Sequence, residues 1–106
     1  MNHLEKKILT DLKALLIKRV SLYQMVLFGS RARGDAHPES DMDVLVIVDG
    51  PYTPQVRKQV SECAWEAGFE HGIVVTTVVY SRDEWENGPE RYSLLAIAIE
   101  KEGIPI

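Results

Sequence analysis

Between Val26 and Val48 the chain reads VLFGSRARGDAHPESDMDVLVIV, and this stretch constrains the fold more than any other. Val26, Leu27 and Phe28 give a buried-strand signal that stops at Gly29. Gly29-Ser30 lets the backbone turn sharply and present N–H groups and a hydroxyl, the donors an anionic phosphate needs. After a polar loop, Asp41 and Asp43 stand two apart at the mouth of a second apolar run, Val44-Leu45-Val46-Ile47-Val48. Positions i and i+2 of a strand face one side, so both carboxylates point the same way, about 7 Å apart along the backbone. Two such charges repel by roughly 4 kcal/mol at a separation of about 4 Å and an effective dielectric near 20. A hard cation such as Mg²⁺ reverses the sign of that interaction, and it commonly arrives with substrate phosphates. Taken singly, Gly29-Ser30 also suits an ordinary strand-to-helix turn, and Ser40-Asp41 an Asx or ST turn. That reading leaves Asp43 without a purpose. Arg31 and Arg33 are by default solvated surface charges, and proximity to the phosphate-binding turn singles out Arg33 more than Arg31.

Gly29-Ser30-Arg31-Ala32-Arg33-Gly34 followed by Ser40-Asp41-Met42-Asp43-Val44-Leu45-Val46 resembles the signature of the DNA polymerase β-like nucleotidyltransferase superfamily. The chain's size is similar to that of its minimal nucleotidyltransferase branch, the MntA-type antitoxins. These are small prokaryotic proteins often paired with a HEPN-family protein in toxin–antitoxin modules. The resemblance implies an α/β nucleotidyltransferase fold, a small mixed sheet packed against helices. It also implies binding of ATP or another NTP with Mg²⁺, and transfer of a nucleoside monophosphate. In that reading Asp41 and Asp43 are catalytic and hold metal, Gly29, Ser30 and Arg33 bind nucleotide, and the protein partner is of the HEPN family.

At 106 residues the chain is expected to form one domain, residues 1–106, with a real but modest core. Hydrophobic content of 45% with 26% charged residues is ordinary globular composition. A net charge of −4 argues against a protein whose main task is gripping nucleic acid through phosphates. The single cysteine, Cys63, excludes an internal disulfide framework and suits a reducing cytoplasm. No apolar run reaches transmembrane length and the charged start lacks a signal-peptide core, so no membrane partner is expected. Oligomeric state is left open, homo-oligomers included. Neither a P-loop nor a dinucleotide-binding glycine fingerprint is present.

The chain opens on a helix that Asn2 can cap, Glu5 completing a capping-box pattern. Leu4, Ile8, Leu12, Leu15, Leu16 and Val20 form its apolar stripe, with lysines outward. The first strand is expected over 22–28, with a short helical turn near Arg31–Gly34, and His37 exposed in the loop beyond. Asp49-Gly50-Pro51 breaks the second strand, and Thr53-Pro54 suits an N-cap and first helical position. Val56, Val60, Ala64 and Ala67 give that helix its apolar face, Cys63 packs beside it, and Gly68 is read as its stop. The run 73–80 is almost continuously apolar and β-branched, the pattern of a strand covered on both faces. Ser81 to Glu84 is a second capping-box pattern, and 94–99 is read as a final helix closing at Gly103. Its Leu94, Leu95, Ile97 and Ile99 offer more apolar surface than one helix face normally buries.

One departure from the superfamily stands out. Its active members carry a third carboxylate on the strand after the intervening helix, whereas residues 73–80 contain no Asp or Glu. Thr76 is the expected substituted position, with Thr77 the alternative. Asp49, Glu70 and Asp83 flank strands rather than lie within them. Two readings follow: an adenylyltransferase acting on a partner's hydroxyl, and a catalytically degenerate antitoxin that works by binding its partner.

Overall fold

The computed structural model describes all 106 residues. Helix α1 spans His3–Arg19 and strand β1 Leu22–Phe28, followed by the one-turn helix α2, Ser30–Arg33. Strand β2 is Met42–Val48, helix α3 Pro54–Phe69 and strand β3 Val75–Ser81. Helix α4, Arg82–Asn87, leads through a short 3₁₀ turn to α5, Leu94–Glu102, and a two-residue strand β4, Ile104–Pro105. The four strands form one mixed sheet in the order β3-β2-β1-β4. Strand β1 is antiparallel to both neighbours, while β2 and β3 are parallel, joined by α3 as a crossover.

Local chemistry sets the element ends. Asn2 accepts from the Glu5 N–H (2.8 Å) while Glu5 Oε1 accepts from the Asn2 N–H (2.9 Å), closing the capping box that starts α1. Thr53 caps α3 with Pro54 at its first position, and Ser81 and Glu84 form the second capping box. Alternation along β2 then splits the core. Met42, Val44, Val46 and Val48 face α1 and α3, against Ile8, Leu12, Leu16, Val60 and Cys63. Leu45 and Ile47 turn to the other face, where Val26 and Ile99 of α5 cover them and Phe28, Val78, Tyr80 and Trp85 pack around. Burying β2 on both faces is why its apolar run is continuous.

Two expectations need correcting. Gly68 does not stop α3, which runs on to Phe69. Glycine stands there because a Cβ would collide with the Ile73 carbonyl as the chain doubles back towards β3. The strand after α3 begins at Val75 rather than Ile73, and it is not shielded all round: β3 lies at the sheet's edge, most of its residues half-exposed. The expectation for α5 holds: of Leu94, Leu95, Ile97 and Ile99 only Ile99 is buried, and Leu94 is 87% exposed.

Candidate functional site

The antiparallel pairing of β1 with β2 places Phe28 opposite Asp43, so the Gly29-Ser30 turn emerges directly beside that carboxylate. Gly29 adopts φ +76°, a left-handed conformation that side chains disfavour. A Cβ at Gly29 would also fall inside the contact distance of Asp43 Oδ2. Glycine is therefore required twice, by its backbone angle and by the carboxylate pressed against it. The turn continues into α2, which no side chain caps, leaving its first amides without a side-chain partner.

Asp43 lies on β2, half-buried, on the same sheet face as Leu45 and Ile47. Asp41 precedes the strand and is exposed. The two carboxylates feel each other. Asp43 is held above the ordinary carboxyl value of 3.8, first by burial and then by the Asp41 charge, with Arg33 pulling the other way. Thr76 of β3 registers with Asp43, and alternation with Val78 and Tyr80 puts it on that same face. No group of three or more carboxylate, histidine or cysteine side chains converges anywhere in the chain. Asp49 is tied up with Arg82 (3.7 Å), and Glu70 and Asp83 are exposed outside the strands. Asp41 and Asp43, two hard oxygen donors beside a turn with free amides, fit a Mg²⁺ that takes its remaining ligands from substrate phosphates and water.

The two arginines part company. Arg31, expected at the surface, is buried. It donates from Nε and Nη2 to the Ser40 carbonyl (3.0 and 2.7 Å) and from Nη2 to the Pro38 carbonyl (2.9 Å). Its Nη1 donates to Glu5 Oε2 (3.1 Å). One Glu5 carboxylate thus caps α1 through one oxygen and anchors Arg31 through the other. Arg31 in turn fastens the loop that delivers Asp41. Sequence reasoning passed over Arg31 because its partner lies 26 positions away, although an apolar stripe interrupted by Glu5 was a signal. Arg33 is exposed and pairs with Asp35 (3.3 Å) and with Glu102 at the end of α5 (3.2 Å). Ser30 is half-buried at the turn, and His37 is exposed in the loop beyond. The site is open surface: the largest groove, about 670 Å³, lies along the outer flank of β3 beneath α3.

Comparison with known proteins bears on the family and the fold. The family described as nucleotidyltransferase domain matches residues 5–104. A Methanocaldococcus jannaschii protein, provisionally named a protein adenylyltransferase, is 32% identical over 78 residues, covering 67% of this chain and 79% of that protein. A chain of a toxin–antitoxin crystal structure with AMP-PNP superposes with a TM-score of 0.62 at 20% identity, over 91% of this chain and 69% of that one. A chain of a mutant MntA–HpeT toxin–antitoxin structure gives the same TM-score and identity, over 99% and 72%. These two structural matches establish likeness of fold.

Two outcomes are expected from the site's electrostatics. An acid whose folded pKa is raised contributes stability below its unfolded value and loses it as pH rises through the folded one. Asp43→Asn should therefore melt above the parent at pH 7, the gap closing below the unfolded carboxyl value of about 3.9. Thermal melts across that range check the sign. Arg31→Ala leaves Glu5 buried without its partner and strips donors from two carbonyls. It should cost about 3–5 kcal/mol in urea unfolding.

Proposed function

This chain belongs to the nucleotidyltransferase domain family, and from that premise we propose that it binds ATP with Mg²⁺ and transfers AMP to a hydroxyl of a partner protein. The observation that carries the proposal is the Gly29–Asp43 contact, which sets the Gly29-Ser30 turn against Asp43, itself within reach of the Asp41 charge. The adenylyl specificity and the protein acceptor are supported by the adenylyltransferase name of the Methanocaldococcus relative. In this reading Gly29 and Ser30 hold the outer phosphates through the amides at the start of the α2 turn. Asp41 and Asp43 hold the metal, and Arg33, already close enough to act on Asp43, leaves Glu102 to meet phosphate charge. Bound Mg²⁺ supplies charge neutralisation at the α-phosphate and the pyrophosphate leaving group. The acceptor's recognition falls to the partner, because so short a chain spends most of its surface closing a core. A HEPN-type toxin is the partner this reading favours, in line with the toxin–antitoxin assemblies that share the fold.

A second reading rests on Thr76. It registers with Asp43 on the same face, the place where a third carboxylate would complete the constellation, and a threonine hydroxyl is no carboxylate base. The same fold would then act as a degenerate antitoxin that covers its toxin without modifying it. The exposed Leu94, Leu95 and Ile97 of α5 are the surface such a partner would cover.

Labelled-nucleotide transfer to the partner separates the two readings. Loss of a positioned base removes about 10² to 10⁴ in rate, so the parent should transfer slowly and Thr76→Asp should transfer faster, with a thermal melt confirming that the variant folds. Brisk transfer by the parent that is lost on changing Glu70 or Asp83 would show that the third ligand comes from elsewhere. Transfer by neither protein supports the antitoxin reading.

A further inference from the structure

The two edges of the sheet are finished differently. At one, β4 is two residues long and ends in Pro105, a short, proline-blunted edge of the kind that discourages further pairing. At the other, β3 runs seven residues as VTTVVYS, with no charge, proline or glycine and with its outer backbone groups facing no strand. Beside that edge lies the groove of about 670 Å³. Trp65 and Phe69 of α3 overhang it, stacked with ring centroids 4.5 Å apart, and Val74 floors its entrance. These three are 66%, 64% and 62% exposed. A free strand edge and an apolar overhang along one line make a surface built to accept a strand and a helix together.

We propose that the occupant is a second copy of this chain, related by a two-fold axis normal to the sheet. That operation pairs β3 with β3 antiparallel and brings the two α3 helices together, antiparallel, on one face of a continuous eight-stranded sheet. The surface of α3 is complementary to itself under this operation. Ser61, Trp65 and Phe69 line the groove, and Arg57 is exposed one turn before them at the same four-residue spacing. They run from cationic through small to aromatic. Arg57 is exposed and takes part in no ion pair within the chain. With Ser61 at the crossing, Arg57 of each copy meets Trp65 of the other, a guanidinium on an indole face.

The strand register agrees. Because α3 links two parallel strands, it runs antiparallel to β3. Ser61 lies eight residues before Phe69, about 12 Å along the helix. On β3 that distance is roughly four residues from Ile73, which reaches Thr77, next to the strand's midpoint at Val78. The axis that centres α3 on Ser61 therefore also centres β3. Both Asp43 carboxylates then lie on the sheet face opposite the α3 pair, with Thr76 of each site on the paired edge.

Light scattering coupled to gel filtration, on the full chain at about 100 µM, a concentration well above a micromolar dissociation constant, tests the proposal. The parent should run at twice the 12.0 kDa chain mass. Trp65→Arg, at a largely exposed position, should run at the chain mass with an unchanged circular dichroism spectrum, because arginines then face each other. Adding Arg57→Trp to Trp65→Arg should restore the dimer. A monomeric parent overturns the proposal. So does a dimer that survives Trp65→Arg, or a double variant that stays monomeric.

Discussion

The close approach of the Asp43 carboxylate to Gly29 is the contact on which the proposed site depends. It exists because β1 and β2 pair antiparallel with Phe28 opposite Asp43, so the end of one strand and the start of the next share a corner of the sheet. A left-handed glycine without a Cβ lets the turn fold against the carboxylate instead of away from it. Partial burial then raises the proton affinity of Asp43, and the Asp41 charge raises it further. A cation bound between the two carboxylates, as proposed, would relieve that repulsion.

The loop between the two halves is not free to wander. Arg31 reaches back under it, donating to two of its carbonyls, and is itself held by Glu5. Two separate demands meet on Glu5: it closes the capping box of α1 and neutralises a buried guanidinium, and so links the first helix to the placement of Asp41. A buried ion pair is not in itself evidence of stability. Here its value is positional, because the fork of a guanidinium fixes two carbonyls in one geometry.

The parts legible in the sequence were those whose causes are local. Both capping boxes, the Thr53-Pro54 start of α3 and the strand that ends at Gly29 depend on residues within a turn of one another. The apolar run of β2 marked a strand, but two-sided burial was read for residues 73–80 instead, and the structure gives it to β2. The burial of Arg31 was not legible, since its partner Glu5 sits on another element. Strand β4 escaped notice because Ile104 and Pro105 pair with β1 only once α5 has returned the chain beside it. Gly68 read as a helix stop because its true reason, the Ile73 carbonyl overhead, is a contact made after the chain turns. The open edge of β3 was hidden for a different reason: a β-branched run looks the same whether its flank is paired or free.

The claim that the Gly-Ser turn and the aspartate pair form one nucleotide–metal site is tested most directly by calorimetric titration with ATP, in the presence and absence of Mg²⁺. The parent should bind ATP only with Mg²⁺. Asp41→Asn and Asp43→Asn should each weaken binding by about tenfold or more, a change of roughly 1.4 kcal/mol, while remaining folded. Equal affinity in parent and variants, or tight binding indifferent to Mg²⁺, would contradict it and remove both aspartates from the site.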